Sequence, residues 1–223
     1  MNSIVVRLFY FLAMIASSDL VFAQVPVFEE PVHRVSLKNK YLRLLDVWLP
    51  AGDTTQYHIH ATPSVFVTLS SNLTATQVKG EQWVSDRGAA GKIWYRSFSP
   101  DVLVHRVSNL DSLPFHVNDI ELLSAYQPDG SFNRKPLNFP VFLENEKVIL
   151  WQVTDATGLG STIEGRGPII AELIKGKTLV FQDGINNRSR ELKQGGYLYI
   201  EPLSSFKITG GEPGMNLVLI EIK

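Results

Sequence analysis

The chain contains no cysteine. That removes any disulfide framework, which a secreted domain of this size does not need, and leaves metal ligation to His, Asp and Glu. Neither sign of charge predominates: 21 Lys and Arg stand against 22 Asp and Glu, for a net charge of −1. Such a balance gives no electrostatic case for nucleic acid or an anionic membrane as partner. After the first two dozen residues there is no sustained helical periodicity, so no long amphipathic helix is expected. Histidine is scarce, with five in the whole chain, and three of the five fall in two short strand-like stretches.

The one long apolar run lies at the N-terminus. Met1-Asn-Ser-Ile-Val-Val-Arg7 supplies a basic start, Leu8 to Ala16 is apolar, and Val21-Phe-Ala23 places small residues at the positions that signal peptidase reads. This pattern is expected to be a secretory signal peptide over residues 1–23, cleaved after Ala23, with an uncleaved anchor as the alternative. The run is too short for a convincing spanning helix. The mature protein is then expected to be secreted or periplasmic and free of the membrane. Its length of about 200 residues suits one large domain or two small ones.

From Val32 onward, short apolar runs alternate with Gly, Pro, Asn and Asp, as in Tyr41–Leu49, Ser64–Leu69, Leu103–Val107, Ile169–Ile174 and Asn216–Ile222. That spacing predicts an all-β sandwich or barrel. Pro128-Asp-Gly130 and Pro136 to Pro140 carry turn chemistry and mark a boundary. The expected layout is an N-terminal extension at 24–34, a first unit at 35–127, a linker at 128–140 and a second unit at 141–223. Asn72-Leu-Thr74 and Asn187-Arg-Ser189 match the glycosylation sequon and are read as loop residues.

Tyr57-His58-Ile59-His60 is strand-like, so alternation puts both histidines on one face and Tyr57 and Ile59 on the other. His105 sits in a second strand-like run, Val102 to Val107, where it would complete a three-histidine site. An internal repeat accompanies this pattern. Leu37-Lys-Asn39 through Gly52 aligns without a gap on Leu143-Glu-Asn145 through Gly158. Carrying that offset forward sets His58 against Glu164, His60 against Arg166 and Ser64 against Ile170, with Phe206 at the place of His105. The second unit thus repeats the scaffold without the histidines. Glu164 and Arg166 are either an ion pair filling the vacated space or an exposed loop pair.

These residues resemble the cupin superfamily, specifically a two-cupin chain. Gly52, His58 and His60 match the first cupin motif, while Ser64 stands at its glutamate and Ser71 at its final glycine. Pro100, His105 and Asn109 match the second motif, while Val102 replaces a glycine. The resemblance implies two double-stranded β-helix (jelly-roll) barrels in tandem, a complete one at 35–127 and a degenerate one at 141–223. It also implies one divalent metal ion held by His58, His60 and His105. Imidazole ligands suit Fe, Mn, Zn, Ni or Cu and do not distinguish them. Some diketone- and thiol-oxidising cupins use three histidines without the glutamate.

A three-imidazole site keeps the ion's full double charge, favours an anionic or chelating small molecule and lowers the pKa of bound water. With the resemblance, this implies dioxygenase-like or isomerase-like chemistry on a small anionic or hydroxylated organic molecule as the expected activity. An oxidising compartment makes ferrous iron harder to keep reduced and leaves Lewis-acid work open. The alternative is a non-catalytic cupin serving as a binding or structural module, and no nucleophile–base pairing in the sequence decides between them. Ser64, Tyr57, Phe66 and Asn109 are expected around the pocket, with Asn109 read as a turn residue. His33 and His116 are expected on the surface or in the core, and Glu121 is a remote source for a carboxylate. Trp48, Trp83 and Trp94 are read as barrel core. A homodimer is compatible with a symmetric β-scaffold of this size, though no interface is specified.

Overall fold

The computed structural model describes residues 24–128, 132, 134–186 and 188–223. The signal-peptide reading of residues 1–23, the turn at Asp129 and Gly130, and the sequon at Asn187 lie outside them. Among the described residues the regular structure is all strand apart from a single 3-10 turn at Val27–Glu29. No helix there is long and apolar enough to cross a membrane.

The first half forms β1 (Val25–Pro26), β2 (His33–Lys38), β3 (Leu42–Leu49), β4 (His58–His60) and β5 (Ser64–Thr68). It continues through β6 (Leu73–Val78), β7 (Val84–Arg87), β8 (Ile93–Arg96), β9 (Leu103–Asn109) and β10 (Phe115–Leu122). They make two sheets, in the orders β1-β4-β9-β6-β7 and β2-β3-β10-β5-β8. The second half forms β11 (Val141–Glu144), β12 (Val148–Val153), β13 (Thr162–Ile163), β14 (Ile169–Lys175) and β15 (Thr178–Asp183). Then come β16 (Ser189–Lys193), β17 (Tyr197–Ile200), β18 (Phe206–Gly210) and β19 (Asn216–Ile222). Their sheets run β11-β12-β19-β14-β17 and β13-β18-β15-β16. From β2 to β10 and from β11 to β19 the two halves follow the same plan, two jelly-roll barrels in tandem.

The strands β3, β5 and β10 are buried on both faces, which explains their nearly continuous apolar composition. Leu45, Val47, Phe66 and Val117 face the inside of the first barrel, together with Val27 and Phe98. The alternate residues Leu44, Val65 and Ile120 pack on Leu150, Ile170 and Ile220 of the second barrel in one core. A third core, with Trp151, Leu179 and Phe181, fills the second barrel. The molecule is therefore a stack of four sheets around three apolar layers, and the sheet holding β3, β5 and β10 serves two of them.

Strand pairing fixes which residues correspond. Leu42 pairs with Leu122 as Val148 pairs with Ile222, so Asp119 corresponds to Leu219 and Glu121 to Glu221. Ser64 pairs with Glu121, and Ile169 with Glu221. Val78 pairs with His105 at the end of β6, and Asp183 with Phe206 at the end of β15. His58 opposite His105 thus matches Ile163 opposite Phe206, and the residue two past Ile163 is Gly165. The gapless repeat is one residue out here, because the path from Val148 to Ile169 is one residue shorter than the equivalent path from Leu42 to Ser64. Ile163, Gly165 and Ile169, not Glu164, Arg166 and Ile170, stand at the places of His58, His60 and Ser64. Arg166 is buried against Glu221, and Glu164 is exposed and paired with Lys135.

Residues 24–34, expected as an extension, are built into the first barrel. Val25 and Pro26 pair in parallel with His58 and Ile59, and His33 pairs with Val47. In the expected linker, Phe139 is buried in the second barrel's core and Arg134 reaches Glu221. Asn72 is buried, accepting from Ser70 and donating to the Leu113 carbonyl, which removes it as an exposed sequon.

Candidate metal centre

The three histidines of the two motifs converge inside the first barrel. His58 and His60 lie on one face of β4, and His105 is directly opposite His58 across the β4–β9 ladder. Their ring centroids form a near-equilateral triangle, 4.6 Å from His58 to His105, 4.9 Å from His60 to His105 and 5.1 Å from His58 to His60. One nitrogen from each lies within 4.8 Å of the other two.

The hydrogen bonds set the tautomers. His58 Nδ1 is 2.9 Å from the Gln56 carbonyl oxygen, which only accepts, so Nδ1 carries the proton and Nε2 keeps its lone pair. Both ring nitrogens of His105 are buried without a partner. Burial, then the neighbouring His33 and His60, pushes the His58 pKa down to about 3. Burial, then His58 and His60, pushes that of His105 down to about 2. Both imidazoles are therefore neutral in the working range of the protein, the form in which a ring nitrogen ligates a metal. Neutral rings converging with orphaned nitrogens, which leave a desolvation cost unanswered, fit a divalent cation better than they fit a core.

Two groups that the sequence did not assign to the site complete its surroundings. His33 is buried beside His58, with ring centroids 4.7 Å apart, and its Nδ1 is 2.7 Å from Glu30 Oε2. Glu30 also accepts the backbone N–H groups of Val32 and Gln56. Burial alone would raise the pKa of Glu30, but His33 and those N–H groups outweigh it and hold the carboxyl below its ordinary value. Gln56 links Glu30 to His58, donating to the first through its N–H and accepting from the second through its carbonyl. The second group is Asp119 of β10, whose carboxylate lies 3.4 Å from His60 Nδ1.

The cavity over the histidines has a volume of about 220 Å³. Phe66 and Trp94, stacked with centroids 4.8 Å apart, form an apolar wall, and Thr68, Thr74 and Thr76 contribute hydroxyls. Phe98 stacks on His60 at 5.0 Å. Lys92 and Asp86, an exposed ion pair, also line it.

Of the four residues expected around the pocket, only Phe66 lines it. The Ser64 hydroxyl donates to the Thr62 carbonyl, and its side chain is buried away from the cavity. Tyr57 follows the strand alternation to the other face, where its hydroxyl bonds Gln77 and Arg106 lies over its ring. Asn109 is buried and clamps a turn, donating to the carbonyls of Leu49, Pro50 and Leu113. Glu121 is bound to Arg43 and does not line the cavity. His116 stacks on Trp48 and pairs with Asp46, and does not line the cavity, although its neighbours Phe115 and Val117 do. Trp48 and Trp83 are exposed, not core.

No protein-family model and no curated protein matches the chain by sequence. Solved structures do match in fold. Protein Ylba from Escherichia coli is 13% identical with a TM-score of 0.56, over 84% of this chain and 81% of that one. A cupin 2 conserved barrel domain protein from Leptotrichia buccalis is 8% identical at a TM-score of 0.53, over 84% and 86%. A salicylate 1,2-dioxygenase variant from Pseudoaminobacter salicylatoxidans is 8% identical at 0.52, over 82% and 71%. At such identities the likeness speaks for the fold alone. The chain thus shares the two-barrel fold of these structures, with five histidines in or beside its first barrel and none in its second.

Proposed function

We propose that the first barrel is a three-histidine metal centre acting on a small anionic or hydroxylated organic molecule, in a secreted or periplasmic protein. The observation that carries this is the convergence of His58, His60 and His105 with both His105 nitrogens buried and unpartnered. These three side chains would hold the ion. Bound there, it would supply Lewis acidity toward a chelating anion and a lowered pKa for coordinated water. An oxidative reaction on such a molecule and an isomerisation would both draw on that Lewis acidity.

The chain's own residues supply the rest. Glu30, through Gln56, fixes the His58 tautomer so that Nε2 faces the cavity chemistry. Phe66 and Trp94 wall the cavity with aromatic surface and Phe98 backs His60, which lowers the local dielectric and strengthens electrostatic contacts at the histidines.

A second reading, a binding module without turnover, draws on Ser64 at the usual carboxylate position and on a second barrel without histidine. Elemental analysis of untagged protein purified without added metal tests the first reading, beside the His58→Ala/His60→Ala variant. About one ion per chain in the wild type and none in the variant is expected. Absence of metal from both, with metal offered and both folded, leaves only the binding module.

A further inference from the structure

Asp119 is only 1% exposed, lines the cavity, and has no hydrogen-bond partner at either carboxylate oxygen. His60 Nδ1 lies 3.4 Å from Oδ2 but without hydrogen-bond geometry. Phe66, directly across the β5–β10 ladder, offers no donor. An ionised carboxylate has about four lone-pair positions, and burying them unmatched is costly. Buried polar groups in native proteins are nearly always matched, so an orphan on a cavity wall points to a partner that arrives with a ligand.

The second barrel serves as an internal control. At the positions of His58, His60, His105 and Asp119 it has Ile163, Gly165, Phe206 and Leu219, all without a polar side chain. Glu121 and Glu221, two residues further along the same strands, are kept in both barrels, and each is tied to arginine. The glutamate thus goes with the scaffold of both barrels, whereas the aspartate stands only in the barrel that has the histidines. Asp119 and the histidines are absent from the second barrel together, which groups Asp119 with their site.

We propose that Asp119 reads the bound ligand, accepting a hydrogen bond from a hydroxyl or ammonium group on a small acid whose carboxylate is held at the three histidines. This assignment rests on the metal-centre reading and narrows its substrate class to hydroxy- or amino-acids. A second carboxylate on the ligand would meet Asp119 as a like charge, so a diacid is disfavoured.

The test is a titration of cobalt(II)-loaded protein with lactate and with propionate, which differ by one hydroxyl, followed through the cobalt visible bands. Wild type, Asp119→Asn and Asp119→Leu are compared, with melting curves to establish folding. The leucine variant carries the residue the second barrel uses at this position, and so guards against a fold-specific failure of the asparagine one. A charge-assisted hydrogen bond predicts that the lactate-over-propionate preference of the wild type falls about ten- to hundredfold in both variants. An unchanged preference in a folded, cobalt-loaded variant overturns the assignment. So does loss of cobalt from the folded variants alone, which would confine Asp119 to holding His60. Failure of the wild type to take up cobalt removes the metal centre itself, and ligand reading with it.

Discussion

Glu121 and Glu221 hold the same place in the closing strands of the two barrels, yet their arginines come from different parts of the chain. Glu121 is bound to Arg43 on the neighbouring strand β3, and the guanidinium lies 3.6 Å from the Phe28 ring centroid. Glu221 is bound to Arg166, from the loop before β14, and to Arg134, and it also accepts the Gly167 N–H. The anion is the repeated feature; the means of neutralising it differ.

Removing one member of such a pair strands the other in a low dielectric. Arg43→Met is expected to destabilise the protein by about 3–5 kcal/mol, while Arg43→Met/Glu121→Leu recovers most of that loss. Urea unfolding of both variants measures the difference. A single variant within 1 kcal/mol of wild type would show that Glu121 is neutralised some other way.

His105→Phe installs in the first barrel what Phe206 does in the second. It removes two buried, unpartnered nitrogens and adds apolar surface, so the metal-free variant should be more stable than the metal-free wild type, by about 1 kcal/mol. Metal uptake should vanish. Melting both proteins in a chelator checks the first point. A variant clearly less stable than metal-free wild type would mean that the histidine is part of the scaffold.

The three histidines were legible because a strand's alternation of faces is local, and His-x-His needs nothing more. The same alternation sends Tyr57 outward. The repeat was legible through β3 and β12, but the one-residue difference between the following connections leaves no mark in a gapless alignment. It became visible only through the partners Glu121 and Glu221. His33 and Asp119 were not legible as site residues, since each arrives by pairing across the sheet, His33 with Val47 and Asp119 with Phe66. Alternation puts Asp119 and Glu121 on one face of β10 without saying which end of the strand overlies the cavity.

Glu30 acts on the site from two bonds away. Glu30→Gln keeps the size of the side chain but removes the charge that holds His33 and the Gln56 N–H, and Gln56 in turn orients His58. Outer partners of metal-ligating histidines are typically worth ten- to hundredfold in affinity, and a weakening of about that size is expected here. Competition with a chromogenic chelator reads it directly. Unchanged affinity would mean that the β4–β9 ladder alone orients His58.

Between the barrels, the buried side chain of Glu172 meets Asn118, whose Nδ2 donates to Oε1 at 3.1 Å, while Oε2 has no partner. Burial pushes the Glu172 pKa up to about 8, against an ordinary value of 4.5, and the Asn118 hydrogen bond only partly opposes it. The unfolded chain releases this proton near pH 4.5, whereas the folded chain keeps it to about pH 8. Folding therefore takes up a proton between those values. The stability that Glu172 permits is full below about pH 4.5 and is lost as pH rises through 8, by an amount on the order of a few kcal/mol. Glu172→Gln cannot ionise and retains an acceptor for Asn118, so its urea midpoint should change less than that of wild type between pH 5.5 and pH 8. Parallel pH profiles for the two proteins would show that the carboxylate is already charged between the barrels, matched there by a group other than Asn118.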